Sequence, residues 1–356
     1  MKQKQFTLSN IMLTALFWGI VILCTFCGCE HRALTDYVNK HYLRVYIEDS
    51  IMNLHYGFYD EGNEKPQIDN PQMFRVVLCD PVSGHVIQEN YINGRGSDMS
   101  GNYIDGYIYA EPGEYNLLMY NFDTQSVHIK NSANYSEMLA YTNSISDGLK
   151  NGLISVRSSL NSAPKIVYEP DHLYVSLCEP ITIDKEPQID TLKVEDGGYF
   201  RASTIVKTYY LQVNVRGARY VKSAVAVLNG MVGSNYLSTG TANVADSVSL
   251  YINLKSDHTK IRSEITHAYS TFNTFGRLPS YENDWYVVFE FSTTYGTTQV
   301  DTINIGHLIN DKELINNRWI IIDEIIDIQS PGTGEDSGGL TPEVGDWNTI
   351  DSEIKI

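Results

Sequence analysis

Tyr209-Tyr210-Leu211-Gln212-Val213-Asn214-Val215-Arg216 alternates apolar and polar side chains with a period of two. Successive side chains of an extended chain point to opposite faces, so this stretch predicts a half-buried strand. Tyr209, Leu211, Val213 and Val215 would face a core, and Gln212, Asn214 and Arg216 would face water. The pattern recurs downstream, where Val248, Leu250, Ile252 and Leu254 alternate with Ser249, Asn253 and Lys255, and where Val287, Phe289 and Phe291 repeat it. Further strand candidates are Leu43–Ile47, Arg75–Cys79, Val86–Ile92, Tyr107–Ala110, Tyr115–Phe122, Leu173–Cys178, Ala224–Leu228 and Trp319–Ile328. Turn signals such as Asp80-Pro81-Val82-Ser83-Gly84, Glu111-Pro112-Gly113 and Asp196-Gly197-Gly198 separate them. Tyr135–Leu160 lacks the rhythm and reads as a short helix or a long loop. Many short strands joined by Gly/Pro turns predict an all-β chain of β-sandwiches rather than an α/β enzyme fold.

Working outward, Glu179-Pro180 and Glu186-Pro187 interrupt the strand rhythm while charges accumulate. This divides the body into an N-terminal sandwich at 38–188 and a C-terminal one at 189–328, each within the size of one domain. Residues 329–356 change character: Gln329 to Gly345 is a Gly/Pro/acid linker. Apolar residues then return as Trp347, Ile350, Ile354 and Ile356, a candidate partner strand that pairs with its own domain or with another molecule.

The whole chain of 356 residues is 42% hydrophobic, with 25 Tyr, 11 Phe and 4 Trp, too apolar and aromatic for a disordered protein. Its formal net charge of −17 argues against a nucleic-acid partner and a polybasic membrane patch, both of which need a basic surface. The first 28 residues read as an export signal. Lys2 and Lys4 form a positive start, and Ile11–Phe26 is an apolar run of 16 residues, short of the roughly 20 that span a bilayer. Phe26-Cys27-Gly28-Cys29 then resembles the lipobox of bacterial lipoproteins, in which Cys29 would be diacylated and become the first mature residue, with 29–37 as its tether. Removing Lys2 and Lys4 with the signal takes the charge from −17 to −19. Cys79 and Cys178 remain; both sit in apolar strand-like runs, so buried free thiols are favoured over a disulfide.

The search for chemistry returns little. The closest histidine pairs, His258/His267 and His31/His41, are nine and ten residues apart, so the helical His-x-x-x-His metal arrangement is absent and no metal or cofactor is expected. Asp171-His172 reads as a turn cap before a strand. Ser162-Ala163-Pro164-Lys165 matches Ser-x-x-Lys, but Pro164 spoils the helical turn which that chemistry needs. Gly94-Arg95-Gly96 reads as a flexible hairpin tip. No catalytic residues are assigned. Tyr103, Tyr107, Tyr109, Tyr115 and Tyr120 cluster in one stretch, where exposed rings could stack on sugars or anchor partners and buried ones would fill sheet faces.

Several motifs carry a family resemblance. Glu111-Pro112-Gly113-Glu114-Tyr115-Asn116-Leu117-Leu118-Met119-Tyr120-Asn121 resembles the Pro-Gly-x-Tyr turn and hydrophobic strand of fimbrillin-like and Mfa2-like lipoproteins of Bacteroides-type bacteria. Val215–Ala224, Leu228-Asn229-Gly230-Met231 and Thr271–Gly276 resemble strands and turns of that family's second domain. Cys29-Glu30-His31-Arg32 leading into Leu43–Ile47, with Tyr168–Leu173 and Ile205–Tyr210, resembles the DUF5119 group of Bacteroides lipoproteins. The resemblance implies two tandem transthyretin-like β-sandwiches and a surface-exposed outer-membrane lipoprotein. It also implies a fimbrial anchor or accessory subunit or adhesin, whose partner subunits are bound by strand addition. The alternative is a glycan-binding lipoprotein linked to polysaccharide uptake, with a host glycan or protein as ligand.

Overall fold

The computed structural model describes residues 40–48, 70–153, 165–184, 191–194, 197–256, 265–279 and 285–329. In the first half run β1 (Lys40–Glu48), β2 (Phe74–Cys79), β3 (Val86–Ile92), β4 (Gly94–Asp98), β5 (Gly101–Tyr109) and β6 (Gly113–Asn121). There follow β7 (Val127–Lys130), β8 (Leu139–Thr142), α1 (Asp147–Gly152), β9 (Lys165–Val167), β10 (Tyr174–Ile183) and β11 (Phe200–Thr204). The second half holds β12 (Lys207–Arg216), β13 (Val221–Val232), β14 (Ser234–Tyr236), β15 (Thr241–Ala242) and β16 (Ser247–Ser256). It ends with β17 (Ile265–Thr274), β18 (Tyr286–Thr293), β19 (Thr298–Asn304), α2 (Lys312–Asn317) and β20 (Trp319–Asp327). The all-β expectation is borne out.

Strands β3-β2-β6-β10-β11-β1-β5-β4 form one sheet. The chain leaves one edge at Ile92 and enters the other at Gly94, so the sheet folds over a core that joins Leu43, Val45, Ile104 and Ile108 to Phe74, Val76, Leu117 and Met119. Asn90 fastens the fold, because its side chain accepts from Tyr109 N at 3.0 Å and donates to Tyr109 O at 3.2 Å, imitating a strand partner. The second sheet, β19-β18-β13-β16-β17-β12-β20, encloses Leu211, Val213, Val215, Phe289, Phe291, Ile320 and Ile322. A third, β15-β14-β8-β7, takes two strands from each half. It covers the outer side of β2, β6 and β10 through Val77, Leu118, Tyr120, Met138, Leu237 and Phe275.

The structure changes several expectations. Tyr135–Leu160 holds strand β8 as well as a short helix. Gln212 and Ser249, expected to face water, are 2% and 3% exposed. Gln212 accepts from the Tyr210 hydroxyl at 2.7 Å, and the outer face near β16 carries Ile145, Leu153 and Ile166 from α1, β9 and their flanks. Nor does strand exchange occur at residue 188: β11 lies beyond it yet pairs with β1 and β10 of the first sheet, while β9 lies before it and pairs with β16. A strand joins the sheet whose face its side chains fit, whatever its place in the sequence. Gly94–Gly96 is strand β4, paired with β5, and not a hairpin tip.

Candidate interaction surface

The sequence Lys40-His41-Tyr42-Leu43-Arg44-Val45-Tyr46-Ile47-Glu48 sends its apolar members inward and Tyr42, Arg44 and Tyr46 outward. On β5, Ile104 and Ile108 point inward, and Tyr103, Asp105, Tyr107 and Tyr109 share the outer face. Antiparallel register sets Tyr42 opposite Tyr107, Arg44 opposite Asp105 and Tyr46 opposite Tyr103. These cross-strand pairs make a continuous array. Ring centroids lie 5.3 Å apart for Tyr42/Tyr107, 5.7 Å for Tyr46/Tyr103 and 5.4 Å for Tyr46/Tyr199. The Arg44 guanidinium sits 3.8 Å from the Tyr103 centroid and the Lys40 ammonium 4.1 Å from that of Tyr107.

The polar groups of this array answer one another. Arg44 donates to Asp98 at 3.2 Å and to Asp105 at 3.3 Å; the Tyr46 hydroxyl donates to Asp98 at 2.7 Å and that of Tyr42 to Asp105. The Tyr46 hydroxyl, with Ser100 N–H, holds the Asp98 carboxyl below its ordinary pKa, and burial ahead of the Asp105 contact raises the Tyr42 phenol. Gly94 and Gly96 make room: a Cβ on Gly94 would lie 2.8 Å from the Asp105 carbonyl oxygen, and one on Gly96 would run into the Tyr103 ring. Tyr107, Tyr109 and Tyr199, 54%, 52% and 43% exposed, present rings on a rigid platform suited to stacking and to contact with a partner.

The tyrosine cluster is thereby divided: Tyr107 and Tyr109 are open, whereas Tyr115 and Tyr120 are buried, at 8% and 0%. Tyr42, Arg44, Tyr46 and Tyr199 complete the array and were absent from the sequence-level site. The outward Tyr-x-Arg-x-Tyr of β1 was the available signal. Cys29, Trp347, Ile350, Ile354 and Ile356 lie outside the described residues, as does Ser162. Lys165 opens β9 with its side chain exposed.

Where the halves meet, a polar cleft of about 530 Å3 is lined by Asp123, Glu169, Asp171 and Asn273 among others. Its carboxylates hold backbone: Asp171 accepts from Gln125 N and Ser126 N at 2.5 Å each, Asp123 from Gln72 N at 2.7 Å, and Glu169 from Asn273 N at 2.9 Å. Asp171 therefore pins the loop before β7. Burial raises the Glu169 carboxyl, with Asp171 adding to the rise against the Asn273 bond. Among the described residues no group of three or more His, Cys, Asp or Glu could hold a metal ion. Both described cysteines are free thiols, which burial raises to about 12.

Known proteins agree with this architecture. A Bacteroides ovatus protein named as a candidate fimbrium anchoring subunit, Fim4B, is 24% identical over 281 residues, 76% of this chain and 72% of that one. The crystal structure of a candidate adhesin from Bacteroides ovatus has a TM-score of 0.54 at 18% identity, covering 86% of this chain and 99% of that one. The fimbrial anchor protein Mfa2 from Porphyromonas gingivalis has a TM-score of 0.43 at 12% identity, covering 80% and 90%. Two tandem sandwiches, as the resemblance implied, are the fold that the match to the candidate adhesin supports. Residues 67–253, over half the chain and reaching from before β2 into β16, match the model described as a domain of unknown function, DUF5119, and the chain belongs to that family.

Proposed function

We propose that the protein is a non-enzymatic fimbrial-type anchor or accessory subunit of the cell surface, tethered to the outer membrane by lipid on Cys29. The observation that carries this reading is the similarity, along 76% of the chain, to a protein named as a fimbrium anchoring subunit. The lipobox reading of Phe26-Cys27-Gly28-Cys29 supports the tether, and Trp347, Ile350, Ile354 and Ile356 are its strand for addition to a partner sheet. Cys29→Ala should move the chain from the outer-membrane fraction to the soluble one; an unchanged distribution defeats the tether. Deleting residues 330–356 should leave the melting temperature unchanged and abolish co-purification with fimbrial subunits. Retained co-purification sinks the pairing strand.

The exposed Tyr107, Tyr109 and Tyr199 favour a second reading, a glycan-binding surface lipoprotein. Affinity gels containing host or plant polysaccharides should retard the wild type and release Tyr107→Ala/Tyr109→Ala. Equal mobility on every gel removes this alternative.

A further inference from the structure

A second cavity, of about 240 Å3, opens in the C-terminal half beside α2. Three cations from separate places in the chain converge on it: Lys207 at the start of β12, Arg277 after β17 and Arg318 before β20. Among the described residues no acidic side chain lines it. The walls are apolar, formed by Ile309, Leu314 and Ile320, and Ile315 stands 64% exposed at the mouth.

Two of the donors lining it are unanswered. Trp285 is 1% exposed, lies 5.4 Å beneath the Arg277 guanidinium, and its indole N–H has no hydrogen-bond partner. Nη1 of Arg277 is likewise buried and unpartnered. Buried donors are almost always satisfied, and leaving one unmade costs about 1–3 kcal/mol. Like charges also crowd here: burial and then Arg318 lower the Lys207 ammonium, although its side chain is exposed as a whole. Arg318 is held at φ +58°, a left-handed backbone that costs a residue with a Cβ about 1–2 kcal/mol. Cations, orphaned donors and apolar walls together describe the complement of an anion with a hydrocarbon part.

We propose that this cavity binds a small carboxylate carried on an apolar group, its oxygens taken by Arg277, Arg318 and the Trp285 N–H and its hydrocarbon by Ile309, Leu314 and Ile320. Arginine suits the carboxylate because its planar fork donates two parallel hydrogen bonds. The volume is below the roughly 300–1,000 Å3 of common ligand pockets, which limits the occupant to a short free acid or the terminal residue of a peptide. This inference does not depend on the fimbrial reading.

Calorimetric titration of the mature full-length protein with hexanoate and with N-acetyl-isoleucine, each against its amide, tests it. At least one carboxylate should bind ten or more times as tightly as its amide. Arg277→Gln should weaken it at least tenfold, and Trp285→Phe, which keeps the ring and loses the N–H, about fivefold. Tighter hexanoate identifies a free acid, and tighter N-acetyl-isoleucine a peptide terminus; both sustain the site. Carboxylates no tighter than their amides overturn it. So does undiminished binding by Arg277→Gln, or by Arg318→Asn should the first variant fail to fold.

Discussion

The outer face of the first sheet and the cavity beside α2 treat charge in opposite ways. On the first, Arg44 meets Asp98 and Asp105, both tyrosine hydroxyls have carboxylate acceptors, and the rings close over the pairs. In the second, Lys207, Arg277 and Arg318 share a cavity that no acid among the described residues lines, and a buried indole N–H has no hydrogen-bond partner. The first arrangement is complete without a ligand and works as a rigid platform. The second is complete only with an anion. Charge that is answered within the fold stabilises a surface, whereas charge left unanswered against an apolar wall marks a place for something else.

The comparison can be broken at its base by asking whether the two regions belong to one cooperative unit. Phe275, 3% exposed, follows β17 of the second half yet packs with Val77, Leu118 and Tyr120 of the first. Phe275→Ala should cost about 3–5 kcal/mol and lower the unfolding of both halves together in calorimetry. A shift confined to one of two separate transitions would show that the halves are independent.

Next in size, Gly96→Ala forces a methyl against the Tyr103 ring and should cost about 1–3 kcal/mol while loosening the Arg44–Tyr103 stack. Chemical denaturation measures the cost, and an unchanged midpoint would mean that the platform is not locked. On the other side of the comparison, Arg318→Asn should raise stability by about 1 kcal/mol, since Asn tolerates the left-handed backbone and one of three clustered cations is gone. A destabilised variant would mean that the arginine is already compensated.

The smallest effect concerns the junction. Burial raises the Glu169 carboxyl above its ordinary 4.5, so the folded state holds this proton to higher pH than the unfolded chain does. Its contribution to stability is present at low pH and is lost as pH rises through the folded-state pKa. Glu169→Gln keeps an acceptor for Asn273 N and should flatten the decline in stability above pH 4.5 in urea titrations. An identical slope in the variant would locate the pH dependence elsewhere.

Legibility followed the same division. Strands β12, β16 and β18 were readable because their inward positions are Leu, Val, Ile and Phe in unbroken alternation. β17 was not, because its buried positions include Thr266, Ala268 and Thr274, which carry no strong hydrophobic signal. The third sheet was invisible: it joins residues 127–142 to 234–242 in strands of two to four residues, too short for a period to register. The tyrosines of β5 and β6 were readable as a cluster, but their partition into open and buried depended on packing: Tyr115 enters the core of the first sheet, Tyr120 lies under the third, and Tyr107 and Tyr109 are left open. The three cations of the cavity share no motif and meet only in space.

The sequence by itself determined that the chain is all-β, where most of its longer strands run, and which side chains of a strand share a face. Each of these is a local consequence of period-two alternation and of Gly/Pro turns. Only the tertiary structure decided that Gln212 is buried, that β9 and β11 cross the expected division, and that Lys207, Arg277 and Arg318 share one cavity. Alternation says which face a side chain occupies; what covers that face is set by packing between segments far apart in the chain.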